Sequence, residues 1–297
     1  MKISEKKWVI PELSENSEIN IKQGFHPVLG NNKLEGDYEN NFYPNDTLLT
    51  SNKNMMLLTG PNMSGKSTYM KQVALITILG RMGAPVPASY AKIGVIDRIF
   101  TRIGAADDLA GGRSTFMVEM TEAAKILHKS TKKSLVIMDE IGRGTSTSDG
   151  LALAIAIATE INKVNQSLCL FATHYFEITE LSKQLKGVEN FHISTKERDD
   201  QIVFLYELKK GPASKSFGLK VAKLAGIPNS VLNYANSIKL PTNHEILVET
   251  EQEISKNILE QNKGMEIINE IVNIDPNVCS PKLALDLIFK WKKSLDS

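Results

Sequence analysis

The stretch that decides the fold is LLTGPNMSGKST, which spans Leu57 to Thr68 and comes directly after a short apolar run. Gly60 and Gly65 are five residues apart and Lys66-Ser67 come next, so the stretch fits the phosphate-loop pattern G-x-x-x-x-G-K-[ST]. The glycines let the backbone curl so that successive N–H groups face one anion, and the helix that begins there adds the positive end of its dipole. The stretch therefore predicts a site for a nucleoside triphosphate.

Each residue type in this loop predicts a separate role. We expect the Lys66 ammonium to reach the β- and γ-phosphates and the Ser67 hydroxyl to ligate Mg²⁺, so ATP and Mg²⁺ are the expected cofactors. The remaining residues expected to line the phosphates are Gly60, Pro61, Asn62, Met63, Ser64, Gly65 and Thr68. A chance glycine-rich turn is the alternative, and it is disfavoured because a strand-like run precedes the loop and a helix-compatible run comes after it.

Composition limits the other classes of protein. The 297 residues carry 35 Lys+Arg and 34 Asp+Glu, so the net charge of +1 supplies no global basic field, and any contact with nucleic acid must be local. The two cysteines, Cys169 and Cys279, are too few for a disulfide framework and indicate a reduced compartment. The charged N terminus and the short apolar runs predict a soluble cytoplasmic protein without a membrane partner.

Strand-like and helical runs divide the chain into five segments. Residues 1–54 contain turn signals such as Pro44-Asn45-Asp46 and no periodic core of their own, so we interpret them as a lead-in packed on the second segment. Alternating runs across that segment, 55–210, predict an α/β core with a mostly parallel sheet flanked by helices. The other segments are a helical region at 211–240, a linker at 241–253 and a helical tail at 254–297.

Hydrophobic patterning places the individual elements of this core. The predicted strands are Met55–Thr59, Ile93–Thr101, Leu135–Met138, Leu168–Ala172 and Ile202–Leu208. The predicted helices are Ser67–Leu79, Thr115–His128, Gly150–Asn162 and Tyr175–Leu185, and after them Gly218–Ala225 and a helix that starts near Pro228.

Two of the predicted strands end in side chains that suit ATP chemistry. The strand that begins at Leu135 ends in Asp139 and Glu140; there Asp139 is expected to complete the Mg²⁺ shell and Glu140 to orient and deprotonate the attacking water. An ordinary strand edge is the alternative, and the phosphate loop in the same chain favours the functional interpretation. His174 comes after the next strand, at the edge where open α/β sheets bind ligands, although a lone histidine is more often a surface or core residue.

A second glycine-rich loop, Gly111-Gly112-Arg113-Ser114-Thr115, opens the predicted helix at Thr115 and is a second possible anion site. Spacing alone favours Ser114 or Thr115 as an N-cap. The alternative is that this loop reaches the nucleotide of a neighbouring copy in a head-to-tail dimer. Spacing alone leaves both open.

Together these segments resemble the MutS family of DNA mismatch repair ATPases, and its bacterial mismatch-repair branch in particular. The resemblance spans about residues 8–240 and is carried by Thr59–Thr68, Arg98–Leu109, Arg113–Met120, Met138–Thr147, Phe171–Glu177 and Ala213–Gly218. It implies an ABC-type P-loop NTPase with a C-terminal helix-turn-helix region, which dimerises around two composite nucleotide sites.

The resemblance also implies roles for individual residues. Catalytic roles fall on Glu140, Lys66, His174 and Ser114, with Ser114 acting on the partner's ATP. Phe42 and Tyr206 match the aromatic residues placed against adenine, although Phe42 is equally compatible with a core position. The helices from Ser214 to Ile238 resemble the element that clasps a neighbouring subunit, for which the alternative is a hairpin packed within one chain. The segment Ile267–Leu295 resembles a tetramerising tail.

Other parts of the family pattern have no match. No segment corresponds to the mismatch-reading, connector, core and clamp domains, so DNA would be contacted through domains absent from these residues. Phe25-His26-Pro27 departs from the family's Arg-His-Pro. The expected function is an ATP-binding, ATP-hydrolysing homodimerisation module, whose family engages mismatched DNA and a MutL-type partner.

Two other classes remain as alternatives. An ABC transporter subunit is expected to carry an LSGGQ-like signature, which Gly112–Phe116 is not. A non-catalytic module that uses ATP only to hold a dimer together is expected to lack a catalytic glutamate, and Glu140 is present.

Overall fold

The computed structural model describes residues 8–29, 43–61, 64–104, 114–198, 201–213 and 218–238, together with 282, 285, 287 and 289–292. The chain forms two compact units, Met1–Ile246 and Leu247–Ser297. In the second unit the described residues are helical. Within the described ranges, no helix is both long enough and apolar enough to cross a lipid bilayer.

The first unit alternates strands and helices along the chain. The strands are β1 (Trp8–Val9), β2 (Glu12–Leu13), β3 (Glu18–Gly24), β4 (Asn45–Thr50), β5 (Met55–Thr59), β6 (Val86–Pro87), β7 (Tyr90–Ile93), β8 (Ile99–Arg102), β9 (Leu135–Asp139), β10 (Leu168–Ala172), β11 (Val188–Arg198) and β12 (Gln201–Lys210). The helices are α1 (Lys66–Arg81), α2 (Thr115–Lys129), α3 (Thr147–Glu160), α4 (Leu181–Gln184), α5 (Gly218–Leu224) and α6 (Asn229–Ser237). A π-helical turn (Ile161–Asn165) comes after α3, and a 3-10 helix (Phe176–Glu180) precedes α4.

Six strands form the central sheet, in the order β12-β11-β5-β10-β9-β8. Its pairings are parallel except for β12, which runs antiparallel to β11 at one edge. Strands β5, β9 and β10 are buried along their whole length, as expected for a parallel sheet covered on both faces. The predicted mixed α/β class and the mostly parallel sheet are confirmed.

Four strands form a second, smaller sheet in the order β2-β7-β3-β4. Ile19 and Ile21 of β3 and Leu49 of β4 are fully buried and belong to the same hydrophobic core as α1 and β5. The N-terminal residues therefore contribute alternating side chains to the main core. The predicted turn at Pro44-Asn45-Asp46 is wrong, because Asn45 and Asp46 begin β4.

The prediction of one strand over Ile93–Thr101 is also wrong. Its residues are divided between β7 in the smaller sheet and β8 in the central sheet. Gly94 marks the break: its N–H donates to Glu18 O at 2.8 Å, and a Cβ there would lie 1.9 Å from Asn16 O. The close backbone approach requires glycine and turns the chain from one sheet to the other.

Two further elements differ from the predictions. The predicted helix Tyr175–Leu185 is a 3-10 helix and then one turn of α4, and the Thr179 hydroxyl donates to Phe176 O at 2.6 Å in that first part. Strand β11 was not predicted, because polar and charged residues separate its few apolar ones. It nevertheless lies inside the sheet, between β12 and β5.

The loop after β9 packs directly on the first turn of α3. Gly142 has φ 92°, and its carbonyl oxygen accepts a hydrogen bond from the Tyr175 hydroxyl at 3.0 Å. A Cβ added to Gly150 would lie 2.2 Å from this oxygen and 2.5 Å from the hydroxyl. The absence of a side chain at Gly150 therefore sets the position of this loop.

Gly150→Ala should destabilise the protein even though alanine is the better helix former. We expect the free energy of unfolding to fall by about 3 kcal/mol, because backbone must move to admit the methyl group. Gly83→Ala is the control, since Gly83 has φ 76° but no atom within 4 Å of its would-be Cβ; backbone strain alone should cost about 1 kcal/mol. Urea unfolding of both variants measures the difference, and equal losses would contradict the close packing.

Candidate functional site

The carboxyl ends of β5, β9 and β10 meet at one edge of the central sheet. Ala172 of β10 is paired with Leu58 of β5 on one side and with Asp139 of β9 on the other. The segments that begin where these three strands end are therefore neighbours, as ligand-binding loops of open α/β sheets are.

The loop after β5 is organised around the Lys66 ammonium. Lys66 Nζ donates to Gly60 O at 2.7 Å and to Pro61 O at 3.0 Å, and only 4% of the side chain is exposed. Gly60 and Gly65 have φ 139° and 98°, which favour glycine. Burial lowers the pKa of Lys66, and the Glu140 and Asp139 carboxylates oppose this shift. The loop thus holds a desolvated positive charge at the start of α1.

The other predicted loop residues have different environments. Ser64 Oγ is buried and, among the described residues, has no hydrogen-bond partner. Thr68 lies in the first turn of α1. Asn62 and Met63 lie outside the described residues.

Ser67 and Asp139 place two oxygen atoms that could ligate a metal ion next to each other in the site. Ser67 Oγ donates to Asp139 Oδ2 at 2.5 Å. Burial raises the pKa of Asp139, and the hydrogen bond from Ser67 opposes that shift. Asp139 Oδ1 is buried, and no described residue provides it with a hydrogen-bond partner. A hydroxyl oxygen beside an unpartnered carboxylate oxygen is a donor set that suits Mg²⁺.

Glu140 carries its carboxylate on a strained backbone. Its φ is 58°, in the left-handed region, and its N–H donates to Ala172 O at 2.9 Å. His174 Nε2 contacts Glu140 Oε1, and Arg143 Nη1 lies 2.7 Å from Oε2. Burial alone would raise the pKa of Glu140, but the His174 hydrogen bond and nearby positive charges produce a net lowering. Glu140 is therefore an oriented carboxylate that is ionised at neutral pH.

A cavity of about 420 Å³ lies at this edge of the sheet. Ser67, Asp139, Glu140 and Arg143 line it, together with Thr115 at the start of α2. The predicted metal residues Ser67 and Asp139 and the predicted water residue Glu140 thus share one cavity, and Lys66 Nζ lies 3.8 Å from Glu140 Oε1.

Of the remaining predicted residues, the structure describes Tyr206 and Ser114. Tyr206 of β12 is close to the loop, because a Cβ on Gly65 would lie 3.0 Å from Tyr206 Cδ1. Ser114 is exposed and caps α2, and its hydroxyl oxygen accepts from Met117 N at 3.2 Å. Phe42 lies outside the described residues.

A family model of MutS domain V matches residues 56–241, which is more than half of the chain. The chain belongs to the MutS family. The match begins in β5 and extends past α6, so it includes the whole site at the sheet edge. MutS domain V is an ATPase domain, and the predicted resemblance is confirmed at the level of this family.

Three residues of this MutS-family site were missed by the sequence reasoning. Arg143 lies three residues after Glu140, a spacing that could have suggested the ion pair. Glu119 of α2 accepts from Gly142 N at 2.7 Å, and its other oxygen lies 3.9 Å from Arg102 of β8. No local pattern indicates the contacts of Glu119, because they join α2 to β8 and to the loop after β9, which are far apart in the sequence.

Glu119→Gln should destabilise the site loop and its surroundings. Arg102 and Glu119 are 8% and 5% exposed, so the variant leaves a buried guanidinium short of one opposing charge and should lower the free energy of unfolding by about 2 kcal/mol. Glu122→Gln is the control: Glu122 is also close to Arg102, at 3.1 Å, but is 46% exposed and should cost less than about 1 kcal/mol. Thermal unfolding of the two variants measures their losses of stability. A larger loss for Glu122→Gln would contradict the stabilising role of the buried Glu119–Arg102 pair.

Proposed function

We propose that this MutS-family chain binds ATP with Mg²⁺, hydrolyses it to ADP and phosphate, and dimerises around composite nucleotide sites. The observation that carries the proposal is that Ser67, Asp139 and Glu140 line one cavity at the carboxyl edge of a parallel sheet, with Lys66 Nζ 3.8 Å from Glu140 Oε1. Its proposed setting in DNA mismatch repair, with a MutL-type partner and mismatched DNA contacted through other domains, rests on family membership alone.

Phosphate binding is assigned to the loop between Gly60 and Gly65 and to the first turn of α1. Backbone N–H groups and the helix dipole attract the anionic oxygens. Two of the three N–H groups of the Lys66 ammonium donate to Gly60 O and Pro61 O, which fixes its position. The third N–H is left for the β- and γ-phosphates. Tyr206 is assigned to the adenine base.

Ser67 Oγ and Asp139 Oδ1 are assigned to Mg²⁺. Bound Mg²⁺ supplies positive charge that neutralises the β- and γ-phosphate oxygens. Asp139 remains close to Ser67 through its second oxygen, so the chain itself sets the spacing of the two donors.

Glu140 is assigned as the general base. It accepts a proton from water as the water oxygen bonds to the γ-phosphorus; the bond from that phosphorus to the bridging oxygen breaks, and ADP leaves. Arg143 and His174 hold the two carboxylate oxygens in place and favour their charged form. From its position beside Glu140, His174 is also assigned to the γ-phosphate.

Dimerisation is assigned to two surfaces. Ser114 is exposed at the beginning of α2, where its hydroxyl can act on the partner's ATP. Helices α5 and α6 form the proposed helix-turn-helix clasp, and they expose the apolar side chains Leu219, Leu224, Val231 and Tyr234. An apolar surface of this kind suits a protein interface. The family match argues against a transporter subunit.

Lys66→Ala and Glu140→Gln should separate binding from chemistry. Lys66→Ala should abolish ATP binding, because the phosphates lose the loop's fixed charge. Glu140→Gln should retain binding and lower hydrolysis by about a hundredfold or more, the usual contribution of a general base. Lys53→Ala, at an exposed lysine paired with Glu189, is the control and should change neither.

Equilibrium binding of a non-hydrolysable ATP analogue and phosphate release measure the two effects. Unchanged affinity in Lys66→Ala would reject the phosphate loop as the binding site. Full turnover in Glu140→Gln would reject Glu140 as the general base, and a wild-type chain that binds the analogue but releases no phosphate from ATP would favour the non-catalytic module.

Mixing two inactive variants should test the composite site. If Ser114 acts on the partner's ATP, Ser114→Ala and Lys66→Ala should each hydrolyse ATP poorly alone. Their mixture should gain activity, because one site of the mixed dimer combines an intact loop with an intact Ser114. Activity no greater than the sum of the separate variants, with mixed dimers verified by light scattering of tagged chains, would place Ser114 in its own subunit's site.

A further inference from the structure

Strand β12 is irregular where it passes the phosphate loop. Ile193 of β11 faces Leu208, and Thr195 faces Phe204, so a single residue of β11 lies opposite three residues of β12. Tyr206 is the middle one of the three and has φ 55°. A side-chain-bearing residue in this left-handed conformation costs roughly 1 kcal/mol, so the surroundings must hold it there.

Asn45 makes two hydrogen bonds to the backbone of this stretch of β12. Its Nδ2 donates to Tyr206 O at 2.8 Å, and its Oδ1 accepts from Leu208 N at 2.7 Å. The same Nδ2 donates to Tyr43 O at 3.1 Å, and the residue is 7% exposed. One side-chain amide therefore satisfies a C=O and an N–H of the bulge, which would be costly to leave unpaired when buried.

Asn45 is itself fixed relative to the phosphate loop. It begins β4, and the next residues of that strand contact α1: the Tyr69 hydroxyl lies 2.8 Å from Thr47 Oγ1 and donates to Asp46 O at 3.1 Å. Tyr69 is one turn after Lys66, and its N–H donates to Gly65 O at 2.9 Å. The loop, α1, β4 and the bulge are thus joined by consecutive hydrogen bonds.

These hydrogen bonds fix the position of the Tyr206 ring. Tyr206 lies against Gly65, with 38% of the residue exposed. We propose that Asn45 is a positioning residue that holds Tyr206 beside the phosphate loop and thereby controls the part of ATP affinity that depends on the base. The inference rests on the proposed ATP site and on the assignment of Tyr206 to adenine.

The chemistry of the amide explains why asparagine is required. Asn45→Asp would keep an acceptor for Leu208 N but lose the donor, and it would place a negative charge against the carbonyl oxygens of Tyr206 and Tyr43. The bulge would then relax toward ordinary strand pairing, and the Tyr206 ring would leave the loop. Lys66 and the loop glycines would be untouched.

The experiment compares a ligand that carries the adenosine group with one that lacks it. Affinities for a non-hydrolysable ATP analogue and for inorganic triphosphate, both with Mg²⁺, are measured by competition against a fluorescent nucleotide. The affinity for the ATP analogue divided by the affinity for inorganic triphosphate is the affinity ratio, and it reports the contribution of the base and sugar to binding. The chains compared are wild type, Tyr206→Ala, Asn45→Asp, the double variant and Asn54→Asp.

Asn54→Asp is the matched control. Asn54 is also a buried asparagine, 4% exposed, and its Oδ1 accepts from Asn162 Nδ2 at 2.7 Å. It precedes β5 at the end of the strand remote from the loop. It should lower thermal stability while leaving the affinity ratio unchanged.

We expect Tyr206→Ala to lower the affinity ratio about tenfold, in line with the contribution of an aromatic side chain to base stacking. Asn45→Asp should lower the ratio about threefold or more, which is half of the Tyr206→Ala effect in free energy. Its affinity for inorganic triphosphate should stay within about twofold of the wild-type value. The double variant should match Tyr206→Ala, because Asn45 acts through Tyr206.

Other outcomes would reject the ATP site, the adenine contact or the role of Asn45 separately. Wild-type chain that binds neither ligand would reject the proposed ATP site. An unchanged ratio in Tyr206→Ala would reject the adenine contact and the inference with it. If Tyr206→Ala lowers the ratio but Asn45→Asp weakens both ligands equally, or neither, the ATP site stands and the positioning role of Asn45 is wrong.

Discussion

The parallel pairing of β10 with both β5 and β9 is the constraint on which the site depends. Because Ala172 is in register with Leu58 and with Asp139, three segments far apart in the chain end at one edge. A slip by one position would turn each strand's side chains to the opposite face. These strands are buried throughout, so the register is specified by packing on both sides of the sheet. The chemistry of the site is therefore fixed by the core beneath it.

Charge at the edge is balanced locally. Lys66 is 4% exposed and lies 3.8 Å from Glu140 Oε1, and Glu140 is held in turn by His174 and Arg143. Buried charges are tolerated only with such partners. Burial raises the pKa of Asp139, whereas the His174 hydrogen bond and nearby positive charges outweigh burial at Glu140 and lower its pKa. Adjacent residues in sequence thus acquire different chemistry from their surroundings.

Local sequence was sufficient where a single element carries the information. Strands β5 and β10 were predicted to the residue, because their continuous apolar runs are bounded by turn residues. The division of 93–101 between two sheets could not be predicted, since it depends on the contact of Gly94 with Asn16. Among the site residues, the phosphate loop and the Asp139-Glu140 pair are predicted by their spacing and stay predictions of function. Glu119 and Asn45 contact partners distant in sequence, so no local pattern reveals them.

The short connection between β4 and β5 also has a mechanical consequence. Thr50 and Lys53 exchange backbone hydrogen bonds at 3.0 and 3.1 Å, which makes the connection a tight turn with little slack. The five residues of β5 then lead straight to Gly60. A pull on the smaller sheet would therefore be transmitted along a stiff, buried rod about 17 Å long to the first residue of the loop. Any larger assembly that binds the smaller sheet is therefore connected through β5 to the proposed nucleotide site.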